Sequence, residues 1–282
     1  MIYVSSACVK NKYIKDSVLE LANEGFQNIE LSGGTQLYDN LELDLLTLKK
    51  EYNLNYLCHN YFPPPPMAFV VNLASLDDEI YSLSIEHLQR AIKLSESLGA
   101  NRLGFHAGFL INIPLDQIGK PINSQKLFNR DQAMVKFIEG FQQLKDSTNI
   151  ELYIENNVVS DANYRNFNDV DPFFMTRADD INAYRKVIDF GLILDVAHLK
   201  VSSRTLNISF DQQMEILLPL SDYLHISDND GLSDSNRGFR RDSDMFNLLK
   251  KHNLKNKIYT IEVYESMEAV KESYKTLEQV ND

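Results

Sequence analysis

Hydrophobic and polar positions fall into short blocks along this chain, and the blocks repeat in one order. Ile2-Tyr-Val-Ser5 is a compact apolar run that predicts a strand. Residues 14–22 then space their apolar side chains three and four apart, the period of a helix, and Gly25 closes that helix. Asn28-Ile-Glu-Leu31 predicts the second strand. The phrase recurs with a helix over 41–51, the strand Asn55-Tyr-Leu-Cys-His59 and a long helix over 77–98. In that helix Leu88, Ala91, Ile92, Ser95 and Leu98 share one face, as packing against a sheet requires. Arg102-Leu-Gly-Phe-His106 is the fourth strand, and the next helix carries its stripe on Met134, Phe137, Ile138, Phe141 and Leu144. Residues 150–155 predict the fifth strand, 181–188 a shorter helix, and Gly191-Leu-Ile-Leu-Asp195 the sixth strand. Tyr223-Leu-His-Ile226 and residues 258–262 are the seventh and eighth strands, followed by a closing helix with Met267, Val270, Tyr274 and Leu277 on one face.

Eight strands alternating with helices call for parallel βαβ units. Eight units also suit closure, so the expected fold is α/β, a single (β/α)8 TIM barrel occupying residues 1–282. An open doubly wound sheet is the rival, but its usual G-x-G-x-x-G first turn is missing. Links from helix to strand are short. Links from strand to helix are long, over 60–76, 107–130, 156–178 and 227–241, which thickens the C-terminal face where such barrels place their sites. The run Pro63-Pro-Pro-Pro66 reads as a stiff loop shaping one wall of a pocket.

Composition supports a folded protein and narrows its partners. Hydrophobic residues make up 44% and charged residues 24%, enough for a large core. Two cysteines, Cys8 and Cys58, are too few for a disulfide framework and fit a reducing cytoplasm. With neither a secretory leader pattern nor a membrane-length apolar run, the expected location is cytoplasmic, with no membrane partner. A net charge of −12 disfavours binding to phosphate backbones, although a local basic rim can act against the global sign.

The chemistry sits at the strand ends. His59, His106, Glu155, Asp195 with His198, His225 with Asp228, and Glu262 end or directly follow the third to eighth strands. In a closed barrel those ends converge on one axis, and imidazole with carboxylate suits Zn²⁺, Mn²⁺, Co²⁺ or a similar divalent ion. Plainer readings stand beside this one. Asp195 can be a helix cap with His198 in a surface loop, and Asp230 can simply form a turn. His87 and His252 read as surface residues of helices, Arg237, Arg240 and Arg241 as a solvated loop, and nothing distinguishes Glu30 from an ordinary solvated carboxylate.

The chain resembles the xylose isomerase-like barrel superfamily, which holds sugar isomerases and epimerases as well as the endonuclease IV branch of abasic-site nucleases. The resemblance rests on Gly25-Phe-x-x-Ile-Glu-Leu31, His59 with 69–75, Phe105-His-Ala-Gly108, Ile154-Glu-Asn156, Leu194-Asp-x-x-His198, residues 224–231 and Thr260-Ile-Glu262, in the family's order. It implies that Glu155, Asp195, His225 and Glu262 bind a metal, that His59 and His106 add a possible second metal site, and that Glu155 and Glu262 are catalytic. His198 would touch substrate, with Asp228 and Arg237 as further candidates. The nuclease's third ion would need an Asp-x-His motif, which here is Asp234-Ser-Asn236; an amide is a poor ligand for a zinc-like ion. The expected activity is isomerisation or epimerisation of a sugar or sugar derivative, phosphorylated or not, in which a divalent ion (Zn, Mn, Co or Mg) holds the enediolate oxygens while carboxylates move the proton. The alternative is metal-dependent hydrolysis of abasic DNA; a barrel that binds a sugar without turning it over is a third reading. Oligomeric state has no signature in this sequence.

Overall fold

The structure is a computed structural model that describes residues 1–281. Eight parallel strands, β1 (Ile2–Ser5), β2 (Asn28–Leu31), β3 (Asn55–His59), β4 (Arg102–His106), β5 (Glu151–Glu155), β6 (Gly191–Asp195), β7 (Tyr223–Ile226) and β8 (Ile258–Ile261), pair in chain order and close when β8 pairs with β1. The expected (β/α)8 barrel is therefore the fold. Around it lie α1 (Ile14–Asn23), α2 (Leu41–Tyr52), α3 (Asp78–Ser97), α4 (Arg130–Lys145), α5 (Asp161–Asn166), α6 (Ala178–Arg185), α7 (Val196–Thr205), α8 (Phe210–Leu217), α9 (Asp244–Leu249) and α10 (Met267–Glu278).

Two of these helices, α5 and α8, have no counterpart in the sequence reading; α7 appears there only as the helix Asp195 could cap, and α9 only as the late helix in which His252 was placed. The helices α5 and α9 have six residues each, too short for a 3.6 period to register. Nearly all of α7 is buried, from Val196 through Leu199 and from Val201 to Ser203, so it carries no polar face to alternate with. The helix α8 does repeat at Phe210, Met214 and Leu217, a stripe the sequence reading passed over. The β6 to α7 junction breaks the long-loop pattern, because Asp195 ends the strand and caps the helix at once.

Side chains alternate between the barrel interior and the helices. Val4, Ile29, Cys58, Leu103, Phe105, Leu152, Ile154, Leu192, Leu194, Leu224 and Ile261 point outward and form the main core with the helices. The inward set is layered. Tyr3, Leu57, Tyr153, Ile193 and Tyr223 pack together in the lower half. Gly104 makes room above them, since a Cβ there would meet Ile193 at 2.3 Å and the His59 ring at 3.0 Å. Outside the barrel mouth, the loops build a smaller core of their own from Val70, Phe109, Ile111, Ile122, Val159, Phe167 and Phe173.

Two sequence expectations fail here. His87 is fully buried in α3, edge-on to Phe69, and neither ring nitrogen has a hydrogen-bond partner. A helical period cannot tell which face a lone polar residue takes when the helix is covered on two sides. His252 lies in a turn beyond α9, half-buried, rather than in a helix.

Candidate metal centre

Parallel pairing brings the predicted residues into register. His106 lies opposite Glu155 across β4 and β5, and Asp195 lies opposite His225 across β6 and β7. Glu262 follows β8 directly, with its backbone N–H donating to the carbonyl of Ile226. Three groups result. Glu155, Asp195, His225 and Glu262 each offer a ligand atom, all within 4.8 Å of one another, and so do His59, His106 and Glu155, and Glu30, His59 and Glu262. Glu155 belongs to the first two.

The distances are those of atoms facing a common point. Glu155 Oε2 is 2.6 Å from His59 Nε2 and 3.5 Å from His106 Nδ1, while its Oε1 is 3.4 Å from Nδ1 of both His198 and His225. His225 Nδ1 is also 3.5 Å from Glu262 Oε2. Yet both Glu155 oxygens, His59 Nε2, His106 Nδ1 and His225 Nδ1 are buried without a well-formed hydrogen bond. Buried polar atoms are normally paired, so a cluster left without partners fits a cation that supplies them. The donor set, imidazole nitrogen with carboxylate oxygen, fits Zn²⁺ or Mn²⁺.

Glu30 was overlooked in the sequence and is central in the structure. It is fully buried and its Oε1 lies 3.3 Å from His225 Nε2. The Tyr223 hydroxyl donates to the Glu30 carboxylate and is 2.9 Å from Thr260 Oγ1. Glu30 thus holds one nitrogen of His225 and turns the other toward Glu155 and Glu262, the carboxylate–histidine arrangement that orients a metal ligand. The available signal was period two: Glu30 sits between the outward residues Ile29 and Leu31, so a carboxylate had to face the interior.

Asp195 is the helix cap of its plainer reading, and its carboxylate also lies in the cluster. Its Oδ1 caps α7 by accepting the His198 N–H at 2.7 Å, and its backbone N–H and C=O pair with the Asn156 amide at 2.8 and 3.1 Å. The carboxylate is thereby held in the cluster, with Oδ2 3.7 Å from His198 Nε2. His198 is not a surface loop residue: it lies in the first turn of α7, buried, with Nδ1 2.9 Å from the Asn156 carbonyl and Nε2 3.2 Å from Asp234.

Burial opposes every charge in the group, and the neighbours decide the outcome. His106, His225 and His59 hold the Glu155 carboxyl well below the usual range despite its burial. Against the same burial, Glu30, Glu262 and Glu155 raise His225 well above the usual value, Asp195 and Asp234 raise His198, and Glu155 raises His59. For Asp195 burial wins and the carboxyl is pushed up to about 7, with His198 opposing; His106 is lowered by burial to about 4. The surroundings thus favour protons on His59, His198 and His225 but not on His106, positive charge facing the carboxylates where a divalent ion would otherwise stand.

The remaining predicted residues part company. The nitrogen of the Asn236 amide, oriented toward Asp234, donates to that carboxylate at 2.9 and 3.2 Å. Asp234 is therefore engaged by an amide and by His198, without a third imidazole. Asp228 binds Lys200 Nζ at 2.7 Å, and exposed Arg237 binds Asp230 at 3.2 Å. Asp230 also accepts the Leu232 N–H at 2.9 Å, as its reading as a turn residue expected. Beside the cluster opens a cavity of about 380 Å³ lined by His106, His198 and Asp234 at one end, and the side chains of neither Asp228 nor Arg237 reach it. Arg240 and Arg241 border a separate surface hollow with Glu272 and Lys275.

The comparisons agree with this architecture. A family model described as xylose isomerase-like TIM barrel matches residues 18–280. A D-tagatose 3-epimerase-like protein superposes with a TM-score of 0.73 at 18% identity, covering 99% of this chain and 98% of that one. L-ribulose 3-epimerase gives 0.68 at 14% identity over 99% and 94%, and endonuclease IV from Thermus thermophilus gives 0.61 at 13% over 99% of both chains. At such identities these likenesses establish the fold. A search of curated proteins by sequence finds no match.

Proposed function

The chain belongs to the xylose isomerase-like TIM barrel family, and from that premise we propose that it is a divalent-metal-dependent isomerase or epimerase of a sugar or sugar derivative. One observation carries the reading: Glu155, Asp195, His225 and Glu262 converge, buried, at the mouth of a barrel whose structural neighbours include sugar 3-epimerases. Moving a proton next to a carbonyl needs a base, an acid and a positive charge near the developing oxygens. A divalent ion, bound by the quartet, would supply that charge. Glu155 and Glu262 approach from β5 and β8, on different sides of the barrel, and are the groups assigned to take and return the proton. His198, held at Nδ1 by the Asn156 carbonyl, stands at the cavity and would meet a substrate hydroxyl through Nε2 in exchange for its contact with Asp234. The site's position inside the barrel keeps bulk water from the carbon that loses its proton.

The second reading, hydrolysis of a phosphodiester at an abasic site, is favoured by the group His59, His106 and Glu155. It is opposed by the Asn236 amide on Asp234 and by the charge of −12. Exchange of a carbon-bound hydrogen with D₂O, followed by NMR over a panel of ketoses and their phosphates with Mn²⁺ or Zn²⁺, tests the first reading. Exchange with at least one member is expected, and its loss in Glu262→Gln with the fold retained assigns the proton step to that carboxylate. Incision of an abasic duplex without any sugar exchange would select the nuclease instead.

A further inference from the structure

The cavity beside the metal cluster is divided by polarity. At one end stand His106, His198 and Asp234, against the ligand cluster. Its walls elsewhere come from the loop-built core: Phe109 and Phe173 meet edge to face at 5.6 Å, with Val70 and Ile122 beside them. Of the polar residues in the lining, three have side-chain oxygens or amides engaged within the wall itself. The Asn163 carbonyl oxygen accepts the Ile122 N–H at 2.7 Å, Gln117 accepts the Asn123 N–H at 2.8 Å, and the Asn157 amide donates to three carbonyls at 2.9 to 3.1 Å. At the mouth Ile118 and Leu232 remain 47% and 55% exposed, apolar groups left for something to cover.

A free sugar presents hydroxyls in every direction and would leave several of them dry against Phe109, Phe173 and Ile122. Building on the sugar-isomerase reading, we infer that the substrate is a sugar carrying an aromatic substituent, whose polyol end meets His198, Asp234 and the metal cluster and whose ring enters the Phe109–Phe173 cavity. The cavity's 380 Å³ lies in the range of ligand pockets, and such pockets are mostly apolar with a few polar groups fixing orientation. Aromatic rings also favour edge contacts with other rings.

Calorimetric titration of the Mn²⁺-loaded protein with matched pairs of 4-nitrophenyl and methyl glycosides of glucose, galactose, mannose and xylose tests this. For at least one sugar the aryl glycoside should bind about tenfold tighter or more. Ala162→Phe, on the exposed side of α5 and at the cavity wall, should remove that preference while leaving methyl glycoside binding unchanged. Leu232→Ser at the opposite rim should weaken the aryl arm alone. Equal binding within every pair, failure of all aryl glycosides to bind, or a preference that survives Ala162→Phe overturns the inference. Deuterium exchange measured separately on free ketoses, which carry the carbonyl that these acetals lack, keeps the two readings apart. Aryl preference without exchange of any ketose keeps the ligand class and rejects the reaction; exchange of ketoses without aryl preference does the reverse.

Discussion

The two ends of the barrel interior are built from similar polar residue types and treat them in opposite ways. At the N-terminal end Arg102 donates to the Tyr153 hydroxyl at 3.0 Å, lies 4.9 Å over the Tyr153 ring, and meets Asp222 and Glu151 at 3.6 and 3.9 Å. Tyr153 in turn donates to those carboxylates at 3.0 to 3.1 Å. Each of these groups has a partner. The Glu151 and Asp222 carboxylates of that network also reach solvent; at the C-terminal end Glu155, His59 and His225 are buried, His106 is half-buried, and their facing atoms lack good hydrogen bonds. A satisfied polar network closes and rigidifies a barrel; an unsatisfied one is stable only if a ligand completes it.

That division makes predictions that differ by end. The largest effect is expected for Glu155→Gln, which changes the carboxylate shared by two of the three groups. Turnover should fall about 10³-fold, with the fold retained by circular dichroism because the imidazoles can shed their protons. Tyr153→Ala should do the opposite, costing roughly 3–5 kcal/mol in denaturant unfolding with metal affinity of the folded protein preserved. A drop in metal affinity as large as that of Glu155→Gln would erase the distinction between the ends.

Glu30→Gln probes the boundary between them, since Glu30 touches Tyr223 below and His225 above. Divalent metal affinity, measured by calorimetry, should weaken about 10- to 100-fold, and an unchanged affinity would remove Glu30 as the residue that positions His225. The smallest effect sharpens the rule from outside the site. His87 is also buried without partners, but no carboxylate faces it, so missing hydrogen bonds alone do not make a site. Burial, aided by Arg90, lowers it to about 4, so it stays neutral in the fold while the unfolded chain takes up a proton below its ordinary value near 6.5. Stability is therefore lost as pH falls from 6.5 toward 4, and His87→Phe should gain about 1–2 kcal/mol at pH 5 relative to pH 7 in urea unfolding.

Much of this was legible before any coordinates. All eight strands lie where their apolar runs predicted, with boundaries shifted by one residue at Glu151 and Ile261. The six strand-end positions were visible because a charged or imidazole group at the end of a buried run is out of place there. Helix α7 showed no stripe because it is buried on nearly every side, so only Asp195 as a possible cap pointed to it, and α5 and α9 are too short to repeat. Arg237 was a reasonable candidate by charge, but the backbone pairing of Asp228 with Arg237 turns its side chain to Asp230 and solvent.

By itself the sequence determined the number of units and placed His59, His106, Glu155, Asp195, His225 and Glu262 at strand ends, since these follow from local periodicity; it was the family resemblance that singled out Glu155, Asp195, His225 and Glu262 as candidate metal ligands. Only the tertiary structure decided what those residues meet. Glu30 is joined to His225 across 195 positions of chain, Asp234 is held by His198 and Asn236, and the cavity wall is assembled from four separate loops. Periodicity says which way a side chain points; the closure of the barrel and the packing of its loops choose its partners.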